Sequence, residues 1–75
     1  MKIIHPEMLK QLKEYYTPGA RVVLIQMDDP YTNLQPGDKG TVTSVDDIGT
    51  IHVKWDRGSS LGVVFGEDSC ERIEE

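Results

Sequence analysis

Two pairs of adjacent carboxylates, Asp28-Asp29 and Asp46-Asp47, are the residues whose type and spacing first suggest chemistry. Hard cations such as Ca²⁺ and Mg²⁺ gather several oxygen donors, and acidic loops supply them. Adjacent side chains in an extended segment point to opposite faces, however, and neither pair has the spacing of a calcium loop. Asp is also favoured at turns, where its carboxylate accepts hydrogen bonds from nearby amides. The turn reading outweighs the metal reading, and no metal site is expected.

Acid–base and nucleophilic chemistry finds no better footing. His5 stands near the start of the chain, at an end expected to fray, and His52 falls on the outward side of a strand pattern. No Ser or Cys sits in a nucleophile motif, and no Gly-rich phosphate loop runs into a helix. The expectation is a non-enzymatic protein with no catalytic residue and no cofactor.

Two aromatic residues point instead to recognition. Tyr31 lies in a long polar loop, and Trp55 closes a strand beside a hairpin. Alternation places Trp55 with Ile51 and Val53, which favours the core, yet a ring at a strand end can be half exposed. With Asp28, Asp29 and Asp56, Tyr31 and Trp55 would frame an aromatic, acidic groove. Such a groove suits a basic or Pro-containing segment of another protein. These five residues are the candidate partner-binding set.

Composition narrows the partner classes. The 75 residues carry a net charge of −5, and the pI is near 4.8. Lys10, Lys13, Arg21, Lys39, Lys54, Arg57 and Arg72 are thinly spread, with carboxylates beside several of them. A nucleic-acid binder draws much of its affinity from a basic footprint, so DNA or RNA is a disfavoured partner, as is an anionic membrane. The longest uncharged apolar run, around Val22 to Met27, is far too short to span a bilayer. The first residues carry no expected export signal. Cys70 is the single cysteine, which precludes an internal disulfide and suits a cytoplasmic setting; its expected role is to fill space.

The elements that must position these groups follow from pattern. Residues 1–18 read as a helical segment, with a helix over Pro6 to Tyr16. Pro6 suits the first helical position, Glu7 the positive end, and Thr17-Pro18-Gly19 stops the run. Met8, Leu12 and Tyr15 or Tyr16 recur at helical spacing beside Leu9, a stripe expected to cover an open end of the following barrel in preference to binding a partner.

Residues 19–75 then alternate between strands and turns. Arg21 to Met27 is a first strand with Val22 and Leu24 inward, and a long loop ends in the type II turn signal Pro36-Gly37. Gly40 to Val45 is a second strand, turned by Asp46-Asp47-Ile48-Gly49 with Gly49 at positive φ. Thr50 to Asp56 is the clearest strand, with Ile51, Val53 and Trp55 on one face and His52 and Lys54 on the other. Asp56-Arg57-Gly58 makes a hairpin into a fourth strand over Ser59 to Phe65. After a turn at Gly66 to Ser69, a last strand over Cys70 to Ile73 closes the sheet. Five short strands with a long first loop describe a mainly β protein, a five-stranded SH3-like barrel preceded by a short helix. Closure would remove the sheet's edges.

The spacing of Gly19-Ala20-Arg21-Val22, Asp28-Asp29-Pro30-Tyr31, Pro36-Gly37-Asp38-Lys39-Gly40-Thr41-Val42, Val45-Asp46-Asp47 and Val53-Lys54-Trp55-Asp56-Arg57-Gly58-Ser59 resembles a family of small bacterial and phage proteins. It is catalogued as domain of unknown function 4314. The likeness runs from Thr17 to Ile73 and leaves the N-terminal helix outside or weakly inside. It implies an SH3-like fold in a bacterial or phage setting and brings no activity with it, since none is established for the family. Gly49 to Gly58 is similar to the strand and hairpin of Mib/Herc2-type peptide-binding domains. Gly37-Asp38-Lys39-Gly40-Thr41-Val42 resembles the turn of KOW-type ribosomal and transcription modules. In peptide-binding SH3 domains, aromatic residues of the first loop and third strand frame the ligand groove, the place Tyr31 and Trp55 occupy here.

The resulting expectation is a small interaction module that binds a protein or peptide through its first loop and the Trp55 hairpin. The alternative is a nucleic-acid-associated accessory protein of a phage or mobile element, built as a KOW-like barrel.

Overall fold

The computed structural model describes residues 4–29 and 31–74. The helix α1 spans Pro6–Tyr15, and the strands are β1 (Arg21–Gln26), β2 (Lys39–Val45), β3 (Thr50–Trp55), β4 (Val63–Val64) and β5 (Ser69–Ile73). All paired strands are antiparallel, in one sheet of order β4-β3-β2-β1-β5. The fold is mainly β, as expected. Among the described residues no ladder joins β4 to β5; an isolated bridge between Phe65 and Asp68 is the pairing within that turn. No helix of the described residues is long and apolar enough to cross a membrane.

Strand alternation sets the core. Val22, Leu24, Val42, Val53, Trp55 and Val63 are the largest fully buried side chains. The inward alternation of Ile51, Val53 and Trp55 along β3 is as expected, with His52 half-buried and Lys54 exposed on the other face. A register shift between Val42 and Ser44 interrupts alternation in β2 and returns Val45 to the core's edge. The shift between Leu24 and Gln26 leaves both Ile25 and Gln26 exposed at the end of β1. Loading the apolar side chains of each strand on one face is what gives so short a chain a core, which buries only about 60% of the unfolded surface at this size.

The helix forms where Pro6 and Glu7 predict, and its N-terminus is better held than expected. His5 is the N-cap, its Nδ1 accepting the Glu7 N–H at 3.2 Å. The buried stripe is narrower than the spacing suggests: Leu12 is buried, while Met8 and Tyr15 are exposed. Tyr16, just past the last turn, packs on the core instead. The helix rests beside β2 and is tied down in part by side chains: Lys13 Nζ lies 2.6 Å from Asp47 Oδ1, and Arg72 Nη1 donates to the Tyr15 carbonyl at 3.0 Å.

The fourth strand is much shorter than the expected Ser59 to Phe65. The Leu61 N–H donates to the Ser59 hydroxyl at 3.2 Å, and the Leu61 carbonyl accepts the Trp55 indole N–H at 2.8 Å. Side chains thus take the backbone groups that a ladder would use. The Ser59 carbonyl is paired with the Trp55 N–H, which keeps the hairpin shut at its root.

Candidate partner-binding cleft

Polar residues of the long loop between β1 and β2 bond to its own backbone. Asp29 Oδ1 accepts the Tyr31 N–H at 2.9 Å, and the Thr32 hydroxyl accepts the Leu34 N–H at 3.1 Å. Leu34 is 6% exposed and anchors the loop in the core. The loop ends in a tight turn in which Gly37, at φ +98°, sits where the type II geometry demands a left-handed residue. The Gly37 N–H donates to the Leu24 carbonyl, and the Asp38 carbonyl accepts the Leu24 N–H, both at 2.8 Å.

Side-chain bridges join this loop to its neighbours. Asp38 accepts the Gln35 N–H and lies 3.1 Å from Arg57 Nε, so the turn before β2 is bound to the β3–β4 hairpin. The Arg57 guanidinium, with the Gln35 N–H behind it, holds the Asp38 carboxyl below the usual carboxylate range. At the other end, Asp68 accepts the Asp28 N–H through Oδ1 at 2.8 Å and the Val64 N–H through Oδ2 at 2.9 Å. One carboxylate thereby binds the start of the loop to the turn between β4 and β5.

Between these bridges lie two adjoining open clefts that share Asp29 and Leu61. The first, of about 460 Å³, runs past Tyr31, Thr32, Asn33, Arg57 and Ser59. The second, of about 210 Å³, is walled by Met27, Leu61 and Val64 and edged by Asp28, Glu67 and Asp68. Tyr31 stands 94% exposed at this surface, its backbone N–H held by Asp29 and its side chain in solvent.

Of the five candidate residues, the structure brings Asp28, Asp29 and Tyr31 to the clefts. The other two serve differently. Trp55 does not frame a groove: it is 1% exposed, because alternation along β3 turns it inward against Gly40. Its indole N–H instead fixes the Leu61 carbonyl, so it holds the cleft wall from beneath. Asp56 forms a bidentate pair with Arg21, at 2.8 Å from Nη1 and 2.6 Å from Nη2, which lowers its pKa. Reading the sequence alone misses Leu61, Glu67 and Asp68. Leu61 lies in a run that reads as a strand, and Asp68 in one that reads as a plain turn. The Ser59-Ser60-Leu61-Gly62 sequence, with its hydroxyls and glycine, carries the signal for an irregular wall.

The second acidic pair works as a turn, as its residue type suggests. Asp46 Oδ1 accepts the N–H groups of Ile48 and Thr50, and its Oδ2 lies 2.8 Å from His52 Nε2. The Thr50 amide first, then His52, holds the Asp46 carboxyl below its ordinary value. Gly49 completes the turn at φ +87°.

The family model described as a domain of unknown function (DUF4314) matches residues 5–73. The chain belongs to that family. The DUF4314 match begins at His5, the N-cap, so α1 lies within the family's span and not outside it. Both clefts and every bridge around them also fall within the matched DUF4314 residues. No curated protein matches the chain.

Proposed function

We propose that this DUF4314 protein is a non-catalytic interaction module built as an SH3-like barrel, which binds an extended segment of another protein across the two adjoining clefts. The observation that carries this reading is Tyr31: a ring 94% exposed, on a loop anchored by Leu34 and held by Asp29, beside an open groove. An aromatic side chain presented to solvent from an anchored loop is the kind of residue that supplies contact area to a partner. The strand order and the long first loop favour the SH3-like assignment, and in such a barrel the loop and hairpin that flank the clefts would frame the ligand. A single buried free cysteine, Cys70, suits the cytoplasm of a bacterial or phage-infected cell.

The nucleic-acid reading stays second. A net charge of −5 and a cleft edged by carboxylates both oppose phosphate.

The test is capture with the tagged protein from lysate, with and without nuclease, followed by the Tyr31→Ala variant. A protein retained after nuclease treatment, released by Tyr31→Ala at unchanged thermal midpoint, is the expected result. Material lost on nuclease treatment would put the KOW-like reading first.

A further inference from the structure

The two clefts that meet at Asp29 and Leu61 differ in chemistry. Beside Tyr31 the lining is balanced, with one carboxylate, Asp29, and one cation, Arg57, whose guanidinium is held by Asp38. The smaller cleft is unbalanced, with apolar walls at Met27, Leu61 and Val64, four carboxylates, and no cation among its lining residues. Two of those carboxylates have structural duties, Asp68 on the Asp28 and Val64 amides and Asp29 on the Tyr31 amide. Among the described residues, the Asp28 and Glu67 carboxylates have no hydrogen-bond or ion-pair partner, and both residues are exposed.

Resting on the interaction reading above, we infer that the smaller cleft receives a Lys or Arg side chain of the bound segment. Its methylenes lie along Met27, Leu61 and Val64, and its charged head reaches the Asp28, Asp29 and Glu67 carboxylates. A long cationic side chain matches such a site because its stem is apolar while its head keeps its water. The chain's overall negative charge adds to the attraction and raises the encounter rate. The same field repels a phosphorylated or acidic segment, which excludes those as occupants. Tyr31 and its balanced cleft then take the uncharged residues of the same segment, so charge and apolar contact are read in separate halves of one groove.

The experiment is an amide NMR titration of the ¹⁵N-labelled full chain with three capped dipeptides: acetyl-Pro-Arg-amide, acetyl-Pro-Gln-amide and acetyl-Pro-Glu-amide. The expected result is saturable shifts at Gly62, Val64 and Glu67 with the Arg peptide, weakened by added salt, and none there with the Glu peptide. Asp28→Asn and Glu67→Gln should each weaken the Arg response about threefold, as exposed charges do. Because neither carboxylate has a partner, the thermal midpoint of both variants should match the parent. Equal responses to the Arg and Gln peptides, or shifts confined to Tyr31 and its neighbours, would overturn the cationic assignment while leaving the interaction reading intact. Silence of the cleft amides towards all three peptides would overturn both.

Discussion

Gly40 and Trp55 stand directly opposite one another in the β2–β3 ladder, and a Cβ added at Gly40 would come 2.9 Å from Cε3 of the indole. The same atom would approach Val53 Cγ1 to 2.6 Å and the Lys54 carbonyl to 2.9 Å. Glycine is therefore required here for space and not for a left-handed backbone. The bare backbone of β2 is the floor on which the largest core side chain lies. Gly40→Ala is expected to destabilise the protein by about 1–3 kcal/mol, the usual range for overpacking a core. A urea midpoint unchanged from the parent would show that Trp55 can move aside.

Trp55 supports the cleft through one hydrogen bond, and that bond can be removed without emptying the core. Trp55→Phe deletes the indole N–H and leaves the Leu61 carbonyl unpaired in a part-buried place. The expected loss is about 1–3 kcal/mol from the orphaned carbonyl and the lost ring volume together. Faster hydrogen exchange of the Leu61 and Gly62 amides should accompany it, with little change at β1. Uniformly faster exchange across the sheet would mean that the ring holds the whole core and not the wall.

How much of this was legible in the residues is clearest at β3 and at the hairpin after it. Ile51, Val53 and Trp55 alternate without interruption, and a strand packed on one face follows directly from period two. Six residues after Trp55 the same logic fails, because Ser59 and Trp55 draw the polar groups of Leu61 away from the ladder. That choice depends on where the Trp55 ring lies, which is a tertiary fact. Likewise, Asp28 and Asp29 read as turn residues from their type. Their joining with Glu67 and Asp68 around one cleft depends on β5 returning beside β1.

Three carboxyls give the stability a defined acid limit. Asp38, Asp46 and Asp56 are each held below the ordinary value, by Arg57, by the Thr50 amide with His52, and by Arg21 respectively. A group whose folded pKa is depressed contributes stability above its unfolded value, and that contribution is lost as pH falls through the folded one. The thermal midpoint is expected to be level near neutrality and to fall below about pH 4. Asp46→Asn should make that fall shallower, since the amide has no proton to take up. An acid profile identical to the parent's would assign the loss to the other two.

At the alkaline end the sign reverses. Burial pushes the Tyr16 phenol from 10.0 up to about 12 and the Cys70 thiol from 9.0 up to about 11. Both groups are favoured in their protonated, neutral form by the fold, so their contribution is complete below the ordinary values and is lost as pH rises towards the folded ones. The Tyr16 hydroxyl also donates to the Cys70 carbonyl at 3.1 Å, tying the end of α1 to β5. Urea midpoints should accordingly hold to about pH 9 and decline above it. Tyr16→Phe should lower stability by about 1 kcal/mol at neutral pH through the lost hydrogen bond, and at the same time flatten the alkaline decline. Cys70→Ala should flatten it from its lower-pH side. A decline as steep in both variants as in the parent would show that the helix and β5 separate for a reason other than these two protons.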